Sequence, residues 1–414
     1  MLDVRFPAGP PVSVDCLLDQ VTDGGGLAIG QATAGGALAV GDERIRDFLT
    51  AFGRRLLRPT LSRRHPELGS LGFFLRRSEL LRTVESLRGE HVRVPRGLVF
   101  HIPPANVDTV FVYSWALSAL MGNRNVVRLS PRAGAVAATI VRTLQETLED
   151  ADPVVGATQR VICYDRSDGI TAALSSACDL RVIWGGDRAV DEIRKHPLPP
   201  HARDLTFPDR SSFAAVRAPA WLCAPRAIRL AVAEGFVNDS YWFDQAACSS
   251  PRTVFWVGAR ADCDAARADF TAHLSRAVTE RGWAVDAAMA VEKRVATYGL
   301  AADGAAGAID FHGNALANVT LSTAVAAPRR WLGTGTFAHA QLDSLGELVP
   351  LVGRRDQTMT HFGFPRDELL ELAQALAGRG VDRMVPFGDA LSFHRVWDGV
   401  DLAAEFTRLV TVSV

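Results

Sequence analysis

The sequence predicts an α/β protein: a Rossmann-like parallel-sheet domain followed by a second α/β domain. Three observations carry that expectation. From about residue 97 to residue 195, short apolar runs alternate with helical segments, the pattern of βαβ units and a parallel sheet. A less regular mixture of strand and helix patterns follows Pro219. The 414 residues suffice for two or three domains at a prior of ~150 residues each. The expected divisions are 1–216, 217–390 and 391–414, the last segment returning to the first domain or forming an interface between copies.

Each element has its own warrant. Residues 1–40 are rich in Gly, Ala and Val and are expected to give short strands of an N-terminal extension. Residues 43–58 and 76–88 place apolar side chains three and four apart, which predicts amphipathic helices with solvated arginine-rich faces. Strands are expected at Leu98–Ile102, Asn125–Leu129, Arg160–Tyr164 and Leu180–Trp184. Helices are expected between and after them, at 107–121, 133–148, 168–177 and 187–195. In the second domain, 225–236, 260–281 and 366–378 read as helices, the last stopped by Gly378 and Gly380. Arg252–Val257 and Leu348–Val352 read as strands.

Composition narrows the function. Apolar residues make up 48% and charged residues 22%, and the net charge is −1, so no electrostatic footprint for nucleic acid or anionic lipid is expected. The apolar stretch from Val107 to Met121 carries Asp108 and is shorter than a membrane span of ~20 residues, so a buried helix is expected. The N-terminus lacks a signal-peptide pattern. The six cysteines are scattered with no CxxC spacing, which points away from disulfides and zinc and toward a reducing, cytoplasmic setting.

Four segments carry chemistry. Gly97 to Asn106 ends a strand in two prolines and an Asn, and is followed by a helix and then Gly122 to Ser130. Asn106 is either an N-cap or an amide facing a reacting carbonyl. Gly185 and Gly186 lie at a strand–helix junction, where glycine lets backbone approach a dinucleotide or merely turns the chain. Cys248, in Asp244-Gln-Ala-Ala-Cys-Ser-Ser-Pro-Arg252, is a nucleophile candidate among small residues. A free thiol with pKa ~8.5 is mostly protonated at neutral pH, so a helix N-terminus or a dry cleft with donors has to tune it. The other five cysteines read as small buried hydrophobes. The fourth segment, Gly380–Gly388 continuing through Phe393 to Asp401, reads as an ordered loop.

The wording "PANVDTVFVYSW…GNRNVVRLS", "DQAACSSPR" and "GVDRMVPFGDALSF…VWDG" resembles the LuxC-type acyl-CoA reductases, within the aldehyde dehydrogenase superfamily. The resemblance runs from about residue 97 to residue 400. It implies an aldehyde dehydrogenase-like fold, with a cofactor-binding domain and a catalytic domain. It implies Cys248 as nucleophile, Asn106 as oxyanion donor and Gln245 as a substrate contact. The implied reaction is reduction of an acyl thioester, on coenzyme A or a carrier, to an aldehyde. An acyl-supplying partner protein and self-association are expected by analogy.

The residues test the direction of that reaction. Oxidising superfamily members carry a Glu after the last Rossmann strand to activate water; here Thr206 stands in that place, with Asp209 three positions on. At the second strand, Arg128, Ser130 and Arg132 replace a stretch that ends in an acid, which favours NADPH over NADH because a guanidinium fork matches a phosphate. Asp343 is a candidate for the ribose-binding acid. No histidine is assigned a role. The rival readings are a non-acylating aldehyde dehydrogenase, an acyl-transfer protein using the same Cys248, and a non-catalytic scaffold.

Overall fold

A computed structural model describes residues 1–22, 38–104 and 107–413. The chain forms two compact units: Met1–Pro208 with the segment from Phe393 onward, and Asp209–Ser392. The first division falls at Pro208 rather than after 216 because Ser211–Arg217 enters the second sheet as an interior strand. The segment from Phe393 onward groups with the first unit.

In the first unit lie β1 (Asp3–Phe6), β2 (Val92–Pro95), β3 (Leu98–Ile102), β4 (Arg124–Leu129), β5 (Gln159–Cys163), β6 (Leu180–Trp184) and β7 (Arg203–Phe207). Six of them form one sheet in the order β1-β5-β4-β3-β6-β7, parallel except for β1. β3 and β6 are buried along their whole length, as parallel strands covered on both faces must be. The chain runs from β3 outward to β4 and β5, then returns to place β6 on the other side of β3. That reversal is the topological switch point at which such sheets take ligands. The N-terminal extension gives β1 and a helix, Val14–Thr22, rather than strands alone; residues 23–37 lie outside the described residues.

The apolar stretch becomes helix Val110–Leu120, buried almost end to end. Two of its polar side chains, Ser114 and Trp115, are absorbed by a network beneath it. His101 Nδ1 meets Ser114 Oγ at 2.9 Å and Nε2 meets Asn125 Oδ1 at 2.8 Å. The Asn125 amide and Trp115 Nε1 each donate to Gln159 Oε1 at 2.8 Å. With Asn125 Oδ1 an acceptor, the His101 proton belongs on Nε2, and Nδ1 accepts from Ser114. Burial pushes the His101 pKa down to about 4. Asn123 donates to the Ser118 and Phe406 carbonyls, tying in the C-terminal return.

The second unit contains β8 (Ser211–Arg217), β9 (Pro251–Val257), β10 (Ala306–His312), β11 (Leu316–Leu321), β12 (Thr336–Leu342), β13 (Asp356–Phe362) and β14 (Arg383–Pro386). Their order is β10-β11-β12-β9-β8-β13-β14, parallel except for the β10–β11 hairpin. Helices Arg226–Tyr241 and Arg260–Glu280 cover one face through Phe236 and Phe270. Phe213, Phe255 and Met359 fill the other face. Leu348–Val352, expected as a strand, is instead the short helix Leu348–Leu351. Pro350 has no N–H for a ladder, yet fits the first turn of a helix.

The returning segment adds β15 (Val396–Trp397), β16 (Val400–Asp401) and β17 (Thr407–Val410), the last antiparallel to β2. Among the described residues, no helix is long and apolar enough to cross a membrane, and no cluster of residues could hold a metal ion.

Candidate active site

The loop joining helix Arg226–Tyr241 to β9 carries Cys248, which is half-buried. Its shape is over-determined. Asp244 and Gln245 both adopt positive φ, 51° and 58°. For residues with a Cβ such a conformation persists only where surrounding bonds impose it. The Asp244 carbonyl accepts from Trp331 Nε1 at 3.0 Å and Thr334 Oγ1 at 3.2 Å. The Gln245 amide donates to the Pro251 carbonyl at 2.9 Å and the Thr336 carbonyl at 3.0 Å, and its oxygen accepts from Thr336 N at 3.1 Å. Gln245 is 1% exposed, and both amide protons are committed to backbone. The expected substrate contact is therefore a brace between the starts of β9 and β12.

Beyond the loop, Ser212 at the start of β8 donates its hydroxyl to the Cys248 carbonyl at 2.7 Å and accepts from Thr358 N at 3.1 Å. Ser250 donates to the Asp239 carbonyl at 2.6 Å. The Asp239 carboxylate accepts from Gly388 N at 2.7 Å and Ala390 N at 3.0 Å, and Arg383 donates to the carbonyls of Asp389, Ala390 and Ser392. The segment around Gly388 thus steadies the Cys248 loop through Asp239. Burial pushes the Asp239 pKa up to about 7 against the pull of its two N–H donors.

Asp343 does not join this group. β9 and β12 run parallel, with Ala338 beside Thr253 and Leu342 beside Val257. Cys248 precedes the first residue of β9 and Asp343 follows the last residue of β12, so they lie at opposite edges of one sheet, about 20 Å apart at ~3.3 Å per residue. A ribose bonded to a ring at Cys248 does not span that distance. The Asp343 carboxylate instead accepts from Gln341 at 2.7 Å. Asn106 lies outside the described residues, so its expected oxyanion role rests on the sequence.

In the first unit, Gly185 and Gly186 follow β6 beside the switch point, and Gly186 caps helix Asp187–Arg194. A Cβ built on Gly186 would meet nothing within 4 Å, so no neighbouring protein atom explains the glycine. At the carboxyl end of β4, Arg128 stacks on Tyr164 with its guanidinium carbon 4.9 Å from the ring centroid. Ser130 Oγ accepts from Arg132 N at 3.2 Å, forming a turn that leaves Arg132 exposed. Open glycine backbone and exposed cationic charge fit a dinucleotide laid over these strand ends.

Residues 51–409 match the family of acyl-CoA reductases (LuxC). The chain is 26% identical over 330 residues to the long-chain acyl-protein thioester reductase of Photorhabdus luminescens, covering 77% of this chain and 63% of that one. It is 29% identical over 168 residues to the enzyme of the same description from Vibrio harveyi, 40% of this chain and 33% of that one. It thus spans less than two thirds of the length of these curated relatives. Among solved structures it resembles an NAD-dependent benzaldehyde dehydrogenase from Corynebacterium glutamicum, with TM-score 0.66 and 14% identity over 96% of this chain and 88% of that one. It also resembles aldehyde dehydrogenase 21 from Physcomitrella patens, with TM-score 0.65 and 10% identity over 97% and 90%. The likeness to these structures establishes an aldehyde dehydrogenase fold. The match over residues 51–409 places the chain in the LuxC acyl-CoA reductase family.

Proposed function

We propose that the protein reduces an acyl thioester to an aldehyde through an acyl-Cys248 intermediate, with NADPH as reductant. The observation that carries this reading is the nucleophile loop. A half-buried cysteine sits on backbone pinned at Asp244, Gln245 and the Cys248 carbonyl, in a chain of this family. Rigid presentation of a nucleophile is what covalent catalysis needs, because it divides one difficult step into two easier ones.

In this mechanism the Cys248 thiolate adds to the thioester carbonyl, and the carrier thiolate leaves, taking a proton from solvent. The Asn106 amide and the Cys248 N–H receive the oxyanion; one such donor is worth ~2.7–4 kcal/mol in comparable sites. A reduced nicotinamide, when bound, would supply the hydride that the acyl-Cys248 carbonyl accepts. The resulting thiohemiacetal on Cys248 loses its hydroxyl proton and expels the cysteine thiolate as aldehyde forms. Gly185, Gly186, Arg128, Ser130 and Arg132 would hold the cofactor, with Arg132 as the residue that would favour a 2′-phosphate. With Thr206 where oxidising enzymes carry a carboxylate, and Asp204 on the same strand held by the Arg181 guanidinium at 2.7 and 2.9 Å, reduction is favoured over hydrolysis of the acyl-enzyme. The donor is an acyl group on coenzyme A or on a protein, the latter matching the description of the relatives.

The test is intact mass after incubation with a panel of acyl-CoA thioesters, for wild type and Cys248→Ala. An acyl-sized gain on wild type alone, discharged as aldehyde by NADPH, is the expected result. An adduct that NADPH leaves in place replaces this reading with acyl transfer. Oxidation of free aldehyde with no acceptor thiol replaces it with the oxidising one.

A further inference from the structure

The cysteine needs a source of negative-charge stabilisation, and no helix begins there. The preceding helix ends at Tyr241 and the next element is β9. The helix N-terminus that lowers many reactive thiols is missing from this loop. The nearest cation in sequence is Arg252, the second residue of β9.

Three features set Arg252 apart. The first is register. Ser212 pairs with Pro251, but Phe213 pairs with Thr253, so Arg252 is an extra residue in β9, a bulge. β13 carries a second irregularity against β8, between Asp356 opposite Ser211 and Met359 opposite Phe213. Bulges bend a strand and re-aim a side chain. Both flank Ser212, whose hydroxyl holds the Cys248 carbonyl. The second is burial without a counter-ion. Arg252 is 7% exposed, makes no ion pair among the described residues, and has an Nε without a hydrogen-bond partner. Its hydrogen bond goes to a neutral acceptor, the Arg329 carbonyl, at 2.5 Å. An arginine buried this way needs an anion, because taking an unpaired charge out of water costs several kcal/mol. The third is what surrounds it. Asp356 is already bound by the Arg329 guanidinium at 2.8 Å, by Ser211 and by Gly353 N. Cys248 and Asp209 are the acidic groups that act on Arg252; burial lowers the Arg252 pKa and both raise it again.

We propose that Arg252 is the counter-cation that holds Cys248 as thiolate, a positioning role that rests on Cys248 being the nucleophile. The thiol releases its proton to water, and Arg252 stays protonated throughout. The bulge aims the guanidinium, the Arg329 carbonyl fixes it, and Asp209 shares it with the sulfur.

The test requires neither substrate nor cofactor. Iodoacetamide alkylation, in which the thiolate displaces iodide, is followed at Cys248 by peptide mass across pH 5 to 10, with exposed Cys16 and Cys223 as internal references. Arg252→Gln keeps a donor for the Arg329 carbonyl but removes the charge; Arg252→Lys keeps the charge. The expected result is a midpoint moved to higher pH in Arg252→Gln, with the rate at pH 7 reduced at least about tenfold, the lower end of what an opposite charge within ~4–6 Å does. Arg252→Lys is expected to retain most of the wild-type profile. A folded Arg252→Gln with the wild-type profile overturns the proposal, and so does an equal shift in both variants, which would mark hydrogen bonding rather than charge. If Arg252→Gln fails to fold, wild type decides: a Cys248 midpoint at or above the ~8.5 of a free thiol overturns the proposal. An acyl adduct on Cys248 together with a charge-independent profile would remove Arg252 while leaving the proposed reaction standing.

Discussion

Gln245 shows how much one side chain decides at this site. Its amide hydrogen-bonds three backbone groups that join the Cys248 loop to β9 and β12. Truncation removes all three bonds and leaves Thr336 N only its 3.2 Å bond to the Gly333 carbonyl, at about 0.5–1.5 kcal/mol for each bond lost. Gln245→Ala is therefore expected to lower the thermal midpoint and slow single-turnover acylation of Cys248 at least about tenfold. An unchanged acylation rate would mean that the loop holds its shape without the brace. His101 gives a pH prediction. Its folded pKa of about 4 lies below the ordinary histidine value of 6.5, so its contribution to stability is present above pH 6.5 and is lost as pH falls through 4. Asp239, raised to about 7, acts with the opposite sign, its contribution present below 3.8 and lost as pH rises through 7. Comparing urea midpoints of wild type and His101→Leu from pH 7 to pH 4 isolates the histidine. The variant is expected to be less stable at pH 7, because Ser114 and Asn125 lose their partner, and to show the shallower acid decline. Parallel curves would sink the assignment.

At the scale of elements, two glycines that look alike in sequence do different work. Gly335 introduces β12 at φ +67°, and a Cβ there would collide with the Ala315 carbonyl oxygen and the Tyr241 hydroxyl. Gly335→Ala is expected to destabilise by about 1–3 kcal/mol or more, read from denaturant midpoints. Gly186 stands in open space at ordinary φ, −61°. Gly186→Ala is expected to cost under about 1 kcal/mol of stability while weakening NADPH binding measured by calorimetry. Unchanged affinity would remove Gly186 from the cofactor site. The segment 345–351 carries a related lesson. Leu348 and Val352 are buried as a strand would bury them, but Pro350 and the turn at Leu345–Glu347 make the local chain helical.

For the molecule as a whole, cofactor choice is the most exposed expectation. A ligand that binds only the folded state stabilises it by about 2.7 kcal/mol at a hundredfold excess over its Kd. NADPH is expected to raise the thermal midpoint more than NADH does at equal concentration. Arg132→Glu is expected to reverse that order, because a carboxylate repels a 2′-phosphate and accepts from a 2′-hydroxyl. Equal shifts with both cofactors in wild type would show that Arg132 does not discriminate between them.

Local patterning along the chain was enough for the fold class, the four central strands of the first sheet to within a residue, the buried helix Val110–Leu120 and the loop that carries Cys248. All of these rest on periodicity and on turn residues, which neighbours in sequence encode. Patterning did not reveal β11, β12 and β13, whose faces become apolar or polar only once they are paired. It also could not place Asp343. Which edge of a parallel sheet a residue occupies depends on strand order and register, and hydrogen bonds between residues distant in sequence set those. The same physics hid Ser212 and Arg252. Nothing in Asp209-Arg-Ser-Ser-Phe213 marks a support for Cys248, and Arg252 reads as the end of a loop until the register slips beside Ser212. Local chemistry marked Cys248 as the nucleophile candidate, and long-range pairing decided which residues are packed around its loop.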